Sequence, residues 1–127
     1  PMTWVAVLLG GAIGSAARHG VNLAALRWFG TATPYATAIV NLLGSPAIGV
    51  LAGALASGRL SLGLTERALI FTGLLGGFTT FSSLMLDTLV LGQAGAGAKS
   101  IANLAGQVVL GLVLVYAGYR LGLRTGE

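Results

Sequence analysis

Apolar residues run along this chain in long stretches, and polar residues fall mainly between them. The stretches cover about 4–26, 35–56, 68–91 and 101–121. Each is close to the roughly 20 residues that a helix needs to cross a hydrocarbon core of about 30 Å. The connections, residues 27–34, 57–67 and 92–100, are too short to hold a domain. The pattern predicts an all-α membrane protein of four transmembrane helices, with residues 1–127 as a single transmembrane domain. The N-terminus lacks the positive region of a cleavable signal peptide, so residues from 4 onward are read as the first helix.

Composition supports this reading. The 127 residues are 55% hydrophobic and 8% charged, and the mean hydropathy is +0.89. A soluble domain carries charge on roughly a quarter to a third of its surface residues. Seven basic and three acidic side chains cannot supply that. The absence of cysteine removes disulfides, thiolate metal sites and a Cys nucleophile. The net charge of +4 is spread singly, with no basic stripe, which argues against nucleic acid.

Charge leaves the orientation open. Arg59, Arg67, Arg120 and Arg124 fall on one side, against Arg27, Lys99 and, if it reaches that interface, Arg18. This bias is weak. Two readings stand: both termini inside, or insertion both ways with antiparallel self-pairing. The pairs Gly10/Gly14, Gly49/Gly53, Gly73/Gly77 and Gly118/Gly122 are small-residue contacts for helix association, within one chain or between two. Four helices form a thin bundle, so an oligomer is the expected working unit.

Polar groups at membrane depth are costly and mark candidate chemistry. The densest cluster is Gly76-Gly77-Phe78-Thr79-Thr80-Phe81-Ser82-Ser83, inside the third stretch. Paired glycines followed by two β-branched threonines suit a helix interior poorly. A break is expected there, with freed carbonyls able to hold a monovalent cation and freed N–H groups and hydroxyls able to attract an anion. The competing reading has Thr and Ser bonding back to their own helix. Asn41 can donate two hydrogen bonds to an anion or serve as an interhelical packing bond. Pro46 should kink the second span. Asn103 and Gln107, four apart, share one helical face as a polar track or a helix seam. Arg18 either snorkels to the interface or raises the potential of an anion vestibule. His19 reads as interfacial and Glu66 as solvated beside Arg67, while Asp87 has no firm account.

Three stretches, Gly10-Gly-Ala-Ile-Gly-Ser-Ala-Ala-Arg18, Val40-Asn41-Leu-Leu-Gly44-Ser45 and Gly73-Leu-Leu-Gly76-Gly77-Phe78-Thr79-Thr80-Phe81-Ser82, resemble the CrcB/Fluc family of fluoride channels. The resemblance spans the whole chain. It implies a fluoride-selective channel that exports the ion passively across a bacterial-type inner membrane as an antiparallel, dual-topology homodimer with two pores. It also implies a structural Na⁺ at the dimer axis, held by the carbonyls of Gly76 and Thr79 from both subunits. Phe81 would present its electropositive ring edge to fluoride, and Asn41 would donate from the second span. Thr80, Ser82, Ser83, Asn103 and Gln107 would continue the path, and Arg18 would match the first-span Arg. Two departures stand out: Leu84 replaces a second Phe, and Pro46 stands where a Phe follows Gly-Ser.

Other classes fit less well. A small multidrug antiporter shares the size and span count, but it needs a membrane-embedded carboxylate; Glu66 and Glu127 lie outside the spans, leaving only Asp87. An intramembrane hydrolase needs a base beside Ser82 or Ser83, and the only histidine, His19, is on another span. A non-conducting or heteromeric subunit is the alternative that Leu84 favours.

Overall fold

The computed structural model describes residues 1–124, and Glu127 lies outside the described residues. The elements are α1 (Met2–Phe29), α2 (Tyr35–Ala56), α3 (Leu64–Arg67), a π-helical stretch (Ala68–Leu75), α4 (Gly76–Phe78), α5 (Phe81–Gln93) and α6 (Gly97–Leu123). There is no strand among the described residues. From α3 to α4 the chain is continuously helical, so a third long rod runs over Leu64–Gln93 with one interruption.

Among the described residues, three helices are long and apolar enough to cross a membrane: Tyr35–Ala56, Leu64–Gln93 and Gly97–Leu123. The sequence reading expected a fourth, in α1. That helix has the length, 28 residues, but Arg18 and His19 dilute its apolar stretch. The helices also overrun the apolar stretches at several ends. The third rod begins at Leu64 instead of 68, and α6 at Gly97 instead of 101. Thr65, Glu66, Arg67 and Lys99 are polar yet still helical. Hydropathy marks how deep a residue can sit, and helix ends are set by capping and turns. At the end of α1, Gly30 adopts φ 76° and its N–H closes on the Leu26 carbonyl, a left-handed cap that suits glycine.

The bundle is built inside out relative to a soluble domain. Its buried apolar residues are mostly small: Ala6, Ala25, Ala36 and Val40, with Leu75 and Leu84. Trp4 and Trp28 are each 74% exposed, and many leucines and valines point outward. Lipid provides no hydrophobic drive to hide large side chains, so close backbone approach has to hold the helices together. The glycine pairs supply it. Gly10 and Gly14 lie against the backbone of Leu69, Gly73, Leu74 and Phe78, and Gly73 and Gly77 against α1 in return. Gly49 and Gly53 meet the carbonyls of Val115 and Tyr119, while Gly118 and Gly122 meet those of Pro46 and Val50. The four pairs are therefore spent on two seams inside one chain, α1 with the first part of the third rod and α2 with α6.

Pro46 stays inside an α2 that is helical from Tyr35 to Ala56. Its carbonyl is part of the surface that Gly118 packs on. The loop after α2 ties off α6: Ser57 Oγ donates to the Gly122 carbonyl at 3.0 Å, and an Arg59 guanidinium nitrogen donates to that of Leu121 at 3.2 Å. The Glu66 carboxylate, solvent-exposed as the sequence suggests, also accepts the Gly63 N–H at 2.8 Å and caps the start of α3.

Candidate functional site

The third rod breaks at Thr79 and Thr80, which are extended (φ −89°, ψ 159° and φ −154°, ψ 122°) between two helical halves. The glycines before them remain helical, so the interruption falls on the β-branched pair. Leading into it, the chain is π-helical from Ala68 to Leu75, a tract the sequence reading did not foresee. Short π-helical tracts often sit at functional sites because they turn the following residues out of register.

Three other helices fix the break. From α2, Asn41 pairs with the Thr80 peptide at two points. Its Oδ1 accepts the Thr80 N–H at 2.9 Å, and its Nδ2 donates to the Thr80 carbonyl at 3.0 Å. From α6, Gln107 Oε1 accepts the other Nδ2 hydrogen at 2.8 Å. From α1, Arg18 Nε donates to the Gly77 carbonyl at 3.1 Å. Arg18 therefore turns inward to the end of the first half-helix, where the helix dipole also favours a cation.

These bonds release carbonyl groups. In an unbroken helix the Thr80 N–H would go to the Gly76 carbonyl, but here it goes to Asn41. The Ser83 N–H would go to Thr79, but here it goes to Thr80 Oγ1 at 3.2 Å, making Thr80 the N-cap of α5. Gly76 and Thr79 thus lose their regular helical donors. Carbonyl oxygens are ligands that hard cations accept. No group of three or more His, Cys, Asp or Glu positioned to hold a metal occurs among the described residues.

A cavity of about 360 Å³ opens on the break, lined by Asn41, Ser45, Thr79, Thr80, Phe81, Gln107 and neighbouring apolar groups. Leu84 lies on its wall and is 5% exposed. Phe81 reaches the same cavity, but its ring is 72% exposed on the outside of the chain. Around the α5 N-terminus the hydroxyls cluster: Thr80 Oγ1 donates to Ser83 Oγ at 3.2 Å and lies 3.4 Å from Ser82 Oγ. Back-bonding to the helix does occur, at Ser45, Thr79 and Thr88. Thr80 escapes it because its own peptide is held by Asn41.

The structure thus brings Asn41, Thr80, Phe81, Gln107, Gly76 and Thr79 to one cavity, with Ser83 joined to it through Thr80 and Asn103 through Gln107. Arg18 reaches the break from the far side. Asp87, which had no account, is 8% exposed and accepts from the Thr33 hydroxyl at 3.4 Å. Nearby Ser100, also buried, donates to the Thr88 carbonyl at 2.6 Å. Nothing local in the sequence links Thr33 to Asp87; the loop between α1 and α2 carries it there. His19 is exposed.

A helical membrane protein with a polar, interrupted rod facing a cavity belongs to the class that moves small solutes or ions across bilayers. The family described as CrcB-like protein, Camphor Resistance (CrcB), matches residues 5–119, and the chain belongs to that family. It is 46% identical over 118 residues to a Chloroflexus aurantiacus protein named fluoride-specific ion channel FluC, covering 93% of each chain. It is 44% identical over 120 residues to the protein of that name from Paracoccus denitrificans, covering 94% of each. With the Thermus thermophilus protein of the same name it shares 42% over 119 residues, again 94% of each.

Proposed function

We propose that this chain is a subunit of a fluoride-selective channel that lets the ion leave the cytoplasm passively and so limits fluoride toxicity. The relatives' names support the ion. The observation that carries the reading for this chain is the break at Thr79–Thr80, open to a cavity and held by Asn41. A small, strongly hydrated anion enters such a site only if fixed donors replace its water. The hydroxyls of Thr80, Ser82 and Ser83 and the N-terminal end of α5 supply donors and a favourable dipole. The ring edge of Phe81 adds an electropositive contact. Asn41, Asn103 and Gln107 extend the polar lining, and Arg18 adds positive potential behind the break.

The working unit is an antiparallel, dual-topology homodimer of four-span chains in a bacterial-type inner membrane. The weak charge bias supports insertion both ways, and the large outward exposure of Phe81 supports a second copy completing the ring's surroundings. Na⁺ between the two copies fits the carbonyls of Gly76 and Thr79, which have lost their helical donors; one chain offers two such oxygens, and a second chain doubles the number. Bound there, it supplies a fixed positive charge close to the anion path. A heteromeric or non-conducting subunit is the second reading, favoured by Leu84 at a buried, cavity-lining position.

The test is fluoride efflux from liposomes holding the purified protein, followed with an ion-selective electrode and compared with chloride. Fast fluoride efflux without chloride leak is expected, together with loss of most flux in Phe81→Ile. A folded dimer that passes no fluoride would move the assignment to the heteromeric reading, and drug-coupled proton flux would revive an antiporter.

A further inference from the structure

Three side-chain amides form a hydrogen-bonded chain from α6 to the break, and its direction is determined from one end. The Thr80 backbone N–H can only donate, so the Asn41 atom facing it at 2.9 Å is Oδ1. Asn41 Nδ2 then faces two acceptors, the Thr80 carbonyl at 3.0 Å and Gln107 Oε1 at 2.8 Å. With its oxygen turned to Asn41, Gln107 presents Nε2 to Asn103 Oδ1 at 2.8 Å. The far end is Asn103 Nδ2, a buried donor with no partner among the described residues. Side-chain amides often leave oxygen and nitrogen interchangeable; here each assignment follows from the one before it.

We propose that Gln107 is a positioning residue: by accepting from Asn41 Nδ2, it holds Asn41 with its oxygen toward the Thr80 N–H and so secures that bond at the break in the third rod. If Asn41 turned over, its Nδ2 would face the Thr80 N–H, donor against donor, and that N–H would be left without an acceptor. An acceptor at position 107 selects against that state. Gln107 is only 7% exposed, so water does not readily replace it. Gln107 acts through Asn41 and needs no contact with the ion, which deepens the channel reading. Only the flux comparison below rests on that reading.

Hydrogen–deuterium exchange of the full chain in detergent, resolved at the Thr80 amide, tests the proposal directly. Gln107→Met keeps the volume and removes the acceptor, and exchange at Thr80 should speed up about tenfold while the α2–α6 seam stays protected. Gln107→Glu keeps an acceptor oxygen and should exchange at the parent rate. In liposomes, Gln107→Met should lower fluoride efflux several-fold alone and add no further loss to Asn41→Ala. Parent-like Thr80 exchange in Gln107→Met would overturn the proposal, and so would additive flux losses, which would make Gln107 an independent ion contact. Should Gln107→Met not fold, Gln107→Ser, whose hydroxyl is too short to reach Asn41, gives the same readings. A parent protein without fluoride flux would sink the channel assignment and leave the exchange comparison to decide this one.

Discussion

The two glycine seams use the same contact and end differently. Between α2 and α6, Gly49, Gly53, Gly118 and Gly122 bring the backbones together, and Ser57 and Arg59 bind the final carbonyls of α6. Nothing along that seam interrupts either helix. Between α1 and the third rod, Gly10 and Gly14 meet Gly73 and its neighbours just as closely, but the seam stops where Arg18 takes the Gly77 carbonyl and the rod opens. Beyond that point α5 packs chiefly against α6. Small residues set how near two helices come. Whether a helix continues depends on polar groups from neighbouring helices that outbid its own ladder.

The largest effects should come from forcing either seam apart. Gly53→Val and Gly14→Val each drive a side chain into a neighbouring backbone carbonyl, Tyr119 and Leu74 respectively. Each should cost about 3 kcal/mol, read as a lower thermal midpoint and less monodisperse protein. If Gly14→Val were tolerated and Gly53→Val were not, the two seams would not be equivalent. Asn41→Ala removes both bonds to Thr80 and the one to Gln107. It should lower fluoride efflux at least about tenfold, the order expected when positioned polar groups are lost, with the α2–α6 seam unaffected. Arg18→Met removes the bond to Gly77 from a half-buried position. A loss of about 1.5 kcal/mol is expected, at the low end for bonds to charged groups. The smallest change is a control: Gly106 has open space around its α-carbon, so Gly106→Ala should stabilise α6 by roughly 0.5 kcal/mol. Destabilisation there would show that α6 has a covering partner on that face.

Much of the site was legible because its residues violate the rules of their surroundings. Thr79, Thr80, Ser82 and Ser83 next to paired glycines stand out in an apolar run, and the break falls among them. Asn103 and Gln107 share a face by spacing alone, and the 2.8 Å bond between them bears that out. Arg18 was visible as a candidate, but its partner was not, because Gly77 is 59 residues away and a backbone carbonyl has no signature in sequence. Asn41 reads in sequence either as a donor to an anion or as an interhelical packing bond; in the structure both of its hydrogens are engaged, by Thr80 and Gln107. The burial of Asp87 under Thr33 depends on a loop path that no periodicity encodes.

Composition and periodicity determined the class of this protein: apolar runs of bilayer length, too little charge for a soluble surface, and polar residues whose cost at depth marks them as functional. Those properties belong to single residues and near neighbours, so one chain suffices to read them. The tertiary structure decided which glycine pair meets which, where the third rod lets go of its own ladder, and which carbonyls are left without a helical donor. Those outcomes are competitions between a local hydrogen bond and one supplied by a distant helix. Until the helices are brought together, the distant partner is absent and the local bond always wins.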